Sequence, residues 1–223
     1  MVEDLAQAFA RRAIERSTAE REAAYVEEIR LLVDATYRLI EKTGTFDPPL
    51  RDILKASGLS TQAFYRHFRS KDELMLVLLD DGRRQLLGYL THRMEKAPAP
   101  AGRVRAWIEG VLAQAADPKA AKRTKPFVAN QDRLADQFPE QQQASVDLLL
   151  DLLEDALADL HGAARDRRLV RRDAEAIYYA TFGALRAHLM HGTRPGPVEV
   201  DHLVEFCLAG AGKARARTKK GER

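Results

Sequence analysis

Apolar positions recur at helical spacing along almost the whole chain, and no segment alternates with the period of a strand. Ile29, Leu32, Val33, Thr36, Tyr37 and Ile40 mark one helix, which Gly44 is placed to stop. Leu50, Ile53 and Leu54 give a short second helix one apolar face, with Asp47 as its expected cap and Pro48 in its first turn. Gly58 offers the positive φ of a sharp turn, and Leu59 an apolar plug for the angle. Ser60 caps a third helix anchored by Phe64 and Phe68, one turn apart. Ser70 and Glu73 then have the spacing of a capping box that opens a further helix. Residues 45–74 therefore read as a helix-turn-helix followed at once by another helix.

Downstream the period continues. Leu74, Leu78, Leu86 and Leu90 mark a helix over 74–96, broken by Ala97-Pro98-Ala99-Pro100. Val104, Trp107, Ile108 and Val111 mark another over 103–116. The basic segment 119–125 reads as a loop before a helix over 127–137, and Leu149, Leu153 and Leu157 stripe a long helix from 139 to about 161. An Arg-rich connection over 162–172 precedes two last helices, 173–191 and 198–212. The expected class is all-α: an N-terminal three-helix helix-turn-helix module joined to a C-terminal helical bundle. The expected divisions are a charged helical extension (1–26), the helix-turn-helix domain (27–73), the bundle (74–212) and a basic disordered tail (213–223).

Charge adds a function to that pattern. The 223-residue chain carries a formal net charge of only +3, so affinity for nucleic acid would have to come from local patches. Between Pro49 and Lys71 five cations (Arg51, Lys55, Arg66, Arg69, Lys71) face one carboxylate, Asp52. Thr61, Gln62, Tyr65 and His67 lie on the third helix with its aromatic anchors turned inward. A helix of this size fits the DNA major groove, where Gln pairs with base edges. Lys71, beside a helix N-terminus, is suited to clamp a phosphate. The same residues would also suit the surface of an ordinary helical turn.

The run LRDILKASGLSTQAFYRHFRSKDEL resembles the N-terminal signature of the TetR family of transcriptional regulators. The likeness spans residues 27–76, with G-L-S, F-Y-x-H-F and S-K-D-E-L all in register. It implies a homodimeric, all-helical, DNA-binding repressor whose C-terminal domain binds a small effector and releases a double-stranded operator. By position, Arg51, Thr61, Gln62, Ala63, Tyr65, Arg66 and His67 match DNA-facing places and Lys71 a phosphate contact. Pro48-Pro49 makes a stiffer lead into the second helix than the pattern expects, and Arg66 stands where residue type varies, so base specificity does not carry over. The resemblance also implies dimerisation through the last two helices. Their apolar sets (Ile177, Tyr178, Thr181, Phe182, Leu185, Leu189; Leu203, Val204, Phe206, Cys207, Leu208) would serve either that interface or burial within one subunit.

Trp107, Phe127, Leu153, Tyr178, Tyr179 and Phe182 sit on bundle helices and would line a cavity for a partly apolar effector or fill a solid core. An acyl- or lipid-binding protein that has lost DNA binding is the alternative reading. No Gly-rich phosphate loop, G-x-S-x-G elbow or H-E-x-x-H is present, so neither enzyme chemistry nor a cofactor is expected. His188 and His191 have metal spacing without a Cys or acidic partner beside them in sequence, and no metal site is expected. Cys207 is the only cysteine, which excludes an intrachain disulfide. No apolar stretch approaches the roughly 20 residues of a membrane span and MVEDL lacks a signal-peptide pattern; the expected location is the cytoplasm. Residues 1–26 carry a thin seam (Val2, Leu5, Phe9, Ala13, Ile14) among arginines, and read as a DNA-touching arm or a surface helix. Six cations against Glu222 in residues 213–223 would add salt-sensitive affinity for DNA.

Overall fold

Each helix begins or ends where the sequence supplies a cap or a breaker. The computed structural model describes residues 2–162 and 166–217, which contain helices and their connections and no strand. The helices are α1 (Val2–Thr43), α2 (Leu50–Ser57), α3 (Thr61–His67), α4 (Lys71–Glu95), α5 (Pro100–Ala116), α6 (Pro118–Gln137), α7 (Pro139–His161), α8 (Arg167–His191) and α9 (Pro197–Arg217). They fall into two compact units, Met1–Leu78 and Leu79–Arg223.

In the first unit α1 runs unbroken for 42 residues because no Gly or Pro interrupts it. Gly44 ends it at φ 70°, donating its N–H to the Ile40 carbonyl at 2.7 Å. Leu32, Thr36 and Ile40 on one face of α1 are buried in a core with Ile53, Phe64, Leu74 and Leu78. The buried Thr36 hydroxyl donates to the Leu32 carbonyl at 2.7 Å. Tyr37 donates to the Leu78 carbonyl at 2.6 Å, fixing α1 against the first turns of α4.

The second unit is built around α5, which packs against α6, α7, α8 and α9. Its Val104, Trp107, Ile108, Val111 and Leu112 are all buried, with Leu149, Leu153 and Leu157 of α7 and Ile177 and Leu185 of α8. Each such side chain contributes roughly 1.5–3 kcal/mol relative to exposure.

Three expectations are corrected. The helix after Gly44 starts at Leu50, with Pro49 extended (φ −58°, ψ 137°) and no side-chain cap. A residue before proline is pushed out of the helical region, so Pro48 cannot open a helix that Pro49 follows. The Asp47 carboxylate pairs instead with the Lys71 ammonium at 2.8 Å. Residues 119–125 are helical, not a loop. Asp117 closes α5 and also caps α6, accepting from the Ala120 N–H at 2.7 Å, and Pro118 fits the first turn. The connection before α8 is shorter than 162–172: Asp166 accepts from the Arg168 N–H at 2.9 Å and starts α8 at Arg167. Within that helix Arg171 is held by Asp147, Asp151 and Glu154 of α7 and by Glu175, so it bridges two helices and is not linker.

The basic tail was expected to be disordered from Lys213, whereas α9 runs to Arg217; residues 218–223 lie outside the described residues. The N-terminal extension is continuous with α1, and Phe9 in its seam is exposed. No described helix is long and apolar enough to cross a membrane.

Candidate nucleic-acid interface

The turn between α2 and α3 is made by residues whose own chemistry sets the backbone. Gly58 adopts φ 73° and returns its N–H to the Leu54 carbonyl at 2.9 Å. Ser60, extended at φ −81° and ψ 162°, accepts from the Ala63 N–H at 3.1 Å. Leu59 between them is half-buried. The rings of Phe64 and Phe68, 5.6 Å apart, fix the inward face of α3. At the start of α4 the Ser70 hydroxyl accepts from the Glu73 N–H at 3.2 Å, while Glu73 accepts from the Arg69 N–H at 2.6 Å. That is a capping box whose return bond reaches one residue further back than the simple pattern.

With the inward face fixed, helical geometry sorts the expected DNA-facing residues. Thr61, Gln62 and Tyr65 are exposed, Tyr65 by 58%. Arg51 on α2 is 86% exposed at its side chain and makes only a 3.3 Å contact with Asp52. These four form the outward set. Ala63 is buried beside Phe64 and does not face outward as the resemblance implied. The His67 side chain is only 5% exposed and is likewise turned inward; its Nε2 lies 2.5 Å from the Glu28 carboxylate. Both residues share the face that carries the aromatic anchors, which the helical period requires.

Arg66 is exposed but braced. Its guanidinium reaches Glu28 at 3.0 Å and lies 5.6 Å from the centre of the Tyr25 ring, which meets His67 edge-on at 5.3 Å. Glu28 therefore holds two basic residues of α3 from α1. The hydrogen bond from His67 holds its carboxyl below the usual range, against the opposing effect of desolvation and with help from the Arg66 charge. Lys71 is occupied by Asp47 at 2.8 Å and the Pro48 carbonyl at 3.3 Å. Its ammonium ties the residues before α2 to the start of α4. Sequence reasoning missed Glu28 and Tyr25, and read Asp47 as a helix cap and not as the partner of Lys71, because each acts on a residue distant in the chain.

Of the expected effector residues, Trp107, Tyr178 and Phe182 come together. Tyr178 and Phe182 stack at 4.4 Å, and Trp107 lies 6.3 Å and 6.2 Å from them. Leu153 is buried in the same core, and Phe127 is buried on α6. Tyr179 is 65% exposed, on the opposite side of α8 from the core, and lines no interior space. His188 is engaged by Thr193 at 2.8 Å and Glu199 at 3.0 Å, so an acidic neighbour exists that local spacing did not show. No group of three candidate metal ligands occurs among the described residues.

A capped, outward-facing helix on a basic helix-turn-helix has the geometry with which such domains enter the DNA major groove. Residues 32–78 match the model of the bacterial regulatory proteins of the tetR family, so this part of the chain is similar to the N-terminal domain of those proteins. The described residues share the all-helical fold of solved transcriptional regulators. The chain superposes on the transcriptional regulator FadR from Bacillus subtilis in complex with stearoyl-CoA with TM-score 0.61 at 15% identity, covering 81% of this chain and 98% of that one. The fatty acid degradation regulator FadR from Bacillus halodurans gives TM-score 0.61 at 18% identity, covering 81% and 94%. A TetR-family transcriptional regulator from Streptomyces coelicolor, SCO4454, gives 0.54 at 19%, covering 84% and 94%. No curated protein matches the chain by sequence.

Proposed function

We propose that the chain is a homodimeric, cytoplasmic repressor that reads a pseudo-palindromic operator with α3 and is released by a small, partly apolar effector bound in the second unit. The observation that carries this reading is the outward set of Arg51, Thr61, Gln62 and Tyr65 on a head whose inward face is fully packed. Gln62 and Thr61 offer donors and acceptors to base edges, and Arg51 a phosphate contact.

The dimer is supported by what stays uncovered on the last two helices. Ile177, Tyr178, Thr181, Leu185 and Leu189, with Val204 and Cys207, are buried within the unit, so they belong to its core and not to an interface. Exposed on these helices are Ala176, Tyr179, Gly183 and Ala187 of α8 and, beside the exposed Glu199, Asp201, His202 and Glu205, Val198 (84% exposed) and Phe206 (67%) of α9. The α8 set recurs at helical spacing, and its Ala and Gly positions would let a partner helix approach closely. A twofold dimer carries two copies of α3, and dimeric readers of this kind take half-sites about one DNA turn apart, on the order of 34–36 Å.

Selection of randomised duplex DNA on the purified protein tests the reading. An enriched inverted repeat is the expected result, with Gln62→Ala and Tyr65→Ala together abolishing it in a folded dimer. Absence of enrichment, with only weak salt-sensitive binding, would favour an acyl- or lipid-binding protein without a DNA target.

A further inference from the structure

Arg83 on α4 reads in sequence as one more solvated charge beside Asp80, Asp81 and Arg84. The fold gives it a different setting. Its guanidinium is half-buried and donates to the Gln142 side-chain carbonyl of α7 at 2.6 Å, and no ion pair to it occurs among the described residues. The carboxylate of Asp80 is engaged by Arg84 at 2.7 Å. Desolvation lowers the proton affinity of Arg83, opposed by the nearby Tyr178 and Asp80. An arginine nonetheless keeps its charge at any physiological pH, so a desolvated guanidinium calls for an anion.

Its partner Gln142 and other buried groups of the same unit keep donors without a protein partner. With its carbonyl given to Arg83, Gln142 keeps an amide Nε2 that is buried without a protein partner; Ser145 Oγ, one turn along α7, and Trp107 Nε1 are in the same state. All three residues are at least 95% buried. Tyr178, whose electrostatic coupling to Arg83 places it nearby, has its phenol pushed up to about 12 by burial, so it stays a neutral hydroxyl. Its ring stacks on Phe182 at 4.4 Å and lies 6.3 Å from Trp107, which adds a flat apolar wall. A buried amide or indole N–H without an acceptor is rare in folded proteins, and these three groups share the second unit with the desolvated Arg83.

We infer that Arg83, Gln142, Ser145 and Trp107 form the anion-recognising end of the effector site, and that the effector class is an organic carboxylate with an apolar or aromatic body lying against Tyr178 and Phe182. This rests on the effector reading above and narrows it. A single guanidinium matches one negative charge; a phosphate monoester would bring nearly two and leave one uncompensated in a desolvated place. A neutral amide would present its own N–H groups to a site already full of donors.

The test is titration of the full chain with 3-phenylpropanoate, octanoate and decanoate, each beside its primary amide, by calorimetry and by the emission of Trp107, the only tryptophan. The expected result is saturable binding of at least one acid, about tenfold or more tighter than its amide. Arg83→Met should abolish that preference while its helical circular dichroism stays that of the parent. Equal binding of acid and amide by the parent, or no saturable response to any of the three acids, would overturn the inference whatever the variant does. Operator binding in the same samples separates the two readings. An amide that binds as well as its acid and releases DNA leaves the effector reading standing and removes the carboxylate. An acid bound through Arg83 that leaves operator affinity unchanged keeps this site and removes its regulatory role.

Discussion

Glu28 of α1 and His67 at the end of α3 meet at 2.5 Å across 39 residues of chain, and the same carboxylate holds Arg66 at 3.0 Å. One acid thus sets the orientation of the last turn of the DNA-reading helix. Its charge also neutralises part of the basic surface that the helix would bring to DNA.

Because the Glu28 carboxyl titrates below its ordinary value of 4.5, it contributes stability that is complete above that value and is lost as pH falls through the lowered folded value. Glu28→Gln should flatten this acid limb of the stability profile, measured by denaturant midpoints between about pH 3 and pH 6. The variant frees Arg66 for phosphate. The slope of log affinity against log salt should steepen by about 0.9 if one contact is gained.

Ser60→Ala removes the only side-chain cap of the seven-residue α3. The expected loss is about 1 kcal/mol of stability in the N-terminal unit, with operator affinity falling and Ser60→Asp restoring most of it. Chemical denaturation followed by far-ultraviolet dichroism reads the first quantity. An alanine variant as stable as the parent would remove the cap from the account.

Gly110 on α5 lies against α4 so closely that an added Cβ would sit 2.5 Å from Leu90 Cδ2, and Leu90 is fully buried. Gly110→Ala should therefore cost roughly 1–3 kcal/mol through overpacking. Leu90→Ala alone leaves a cavity and should cost about 2–5 kcal/mol. The double variant should be clearly less destabilised than the two effects added, since the new methyl occupies space the shortened side chain leaves.

Phe206→Asp places a charge on the uncovered face of α9 without touching the packed Val204 and Cys207. Sedimentation should show a monomer at micromolar concentration, with operator affinity greatly reduced and the helical signal unchanged. A variant that stays dimeric would move the interface elsewhere.

The parts legible in sequence are those a residue decides by itself. Gly44, Gly58 and Ser60 impose backbone geometry locally, and the Phe64–Phe68 spacing decides which side of α3 is covered; Thr61, Gln62 and Tyr65 follow. What stayed hidden depends on residues used twice or paired at distance. Asp117 ends one helix and caps the next, so its first role masks its second. Arg171 resembles linker until four carboxylates, three of them on α7, draw it into α8. Glu28 lies 38 residues from Arg66, beyond any helical period. Tyr178 and Tyr179 cannot be ranked by composition, yet one residue of rotation places the first in the core and the second in solvent.

Cys207 is the only thiol of the chain, it is buried where α9 meets the core, and burial pushes its proton affinity up. A thiol reagent therefore reaches it only when α9 lifts away, and the labelling rate becomes a clock for that opening. Timed with and without operator or effector, the one thiol reports whether occupancy of either unit tightens or loosens the last helix.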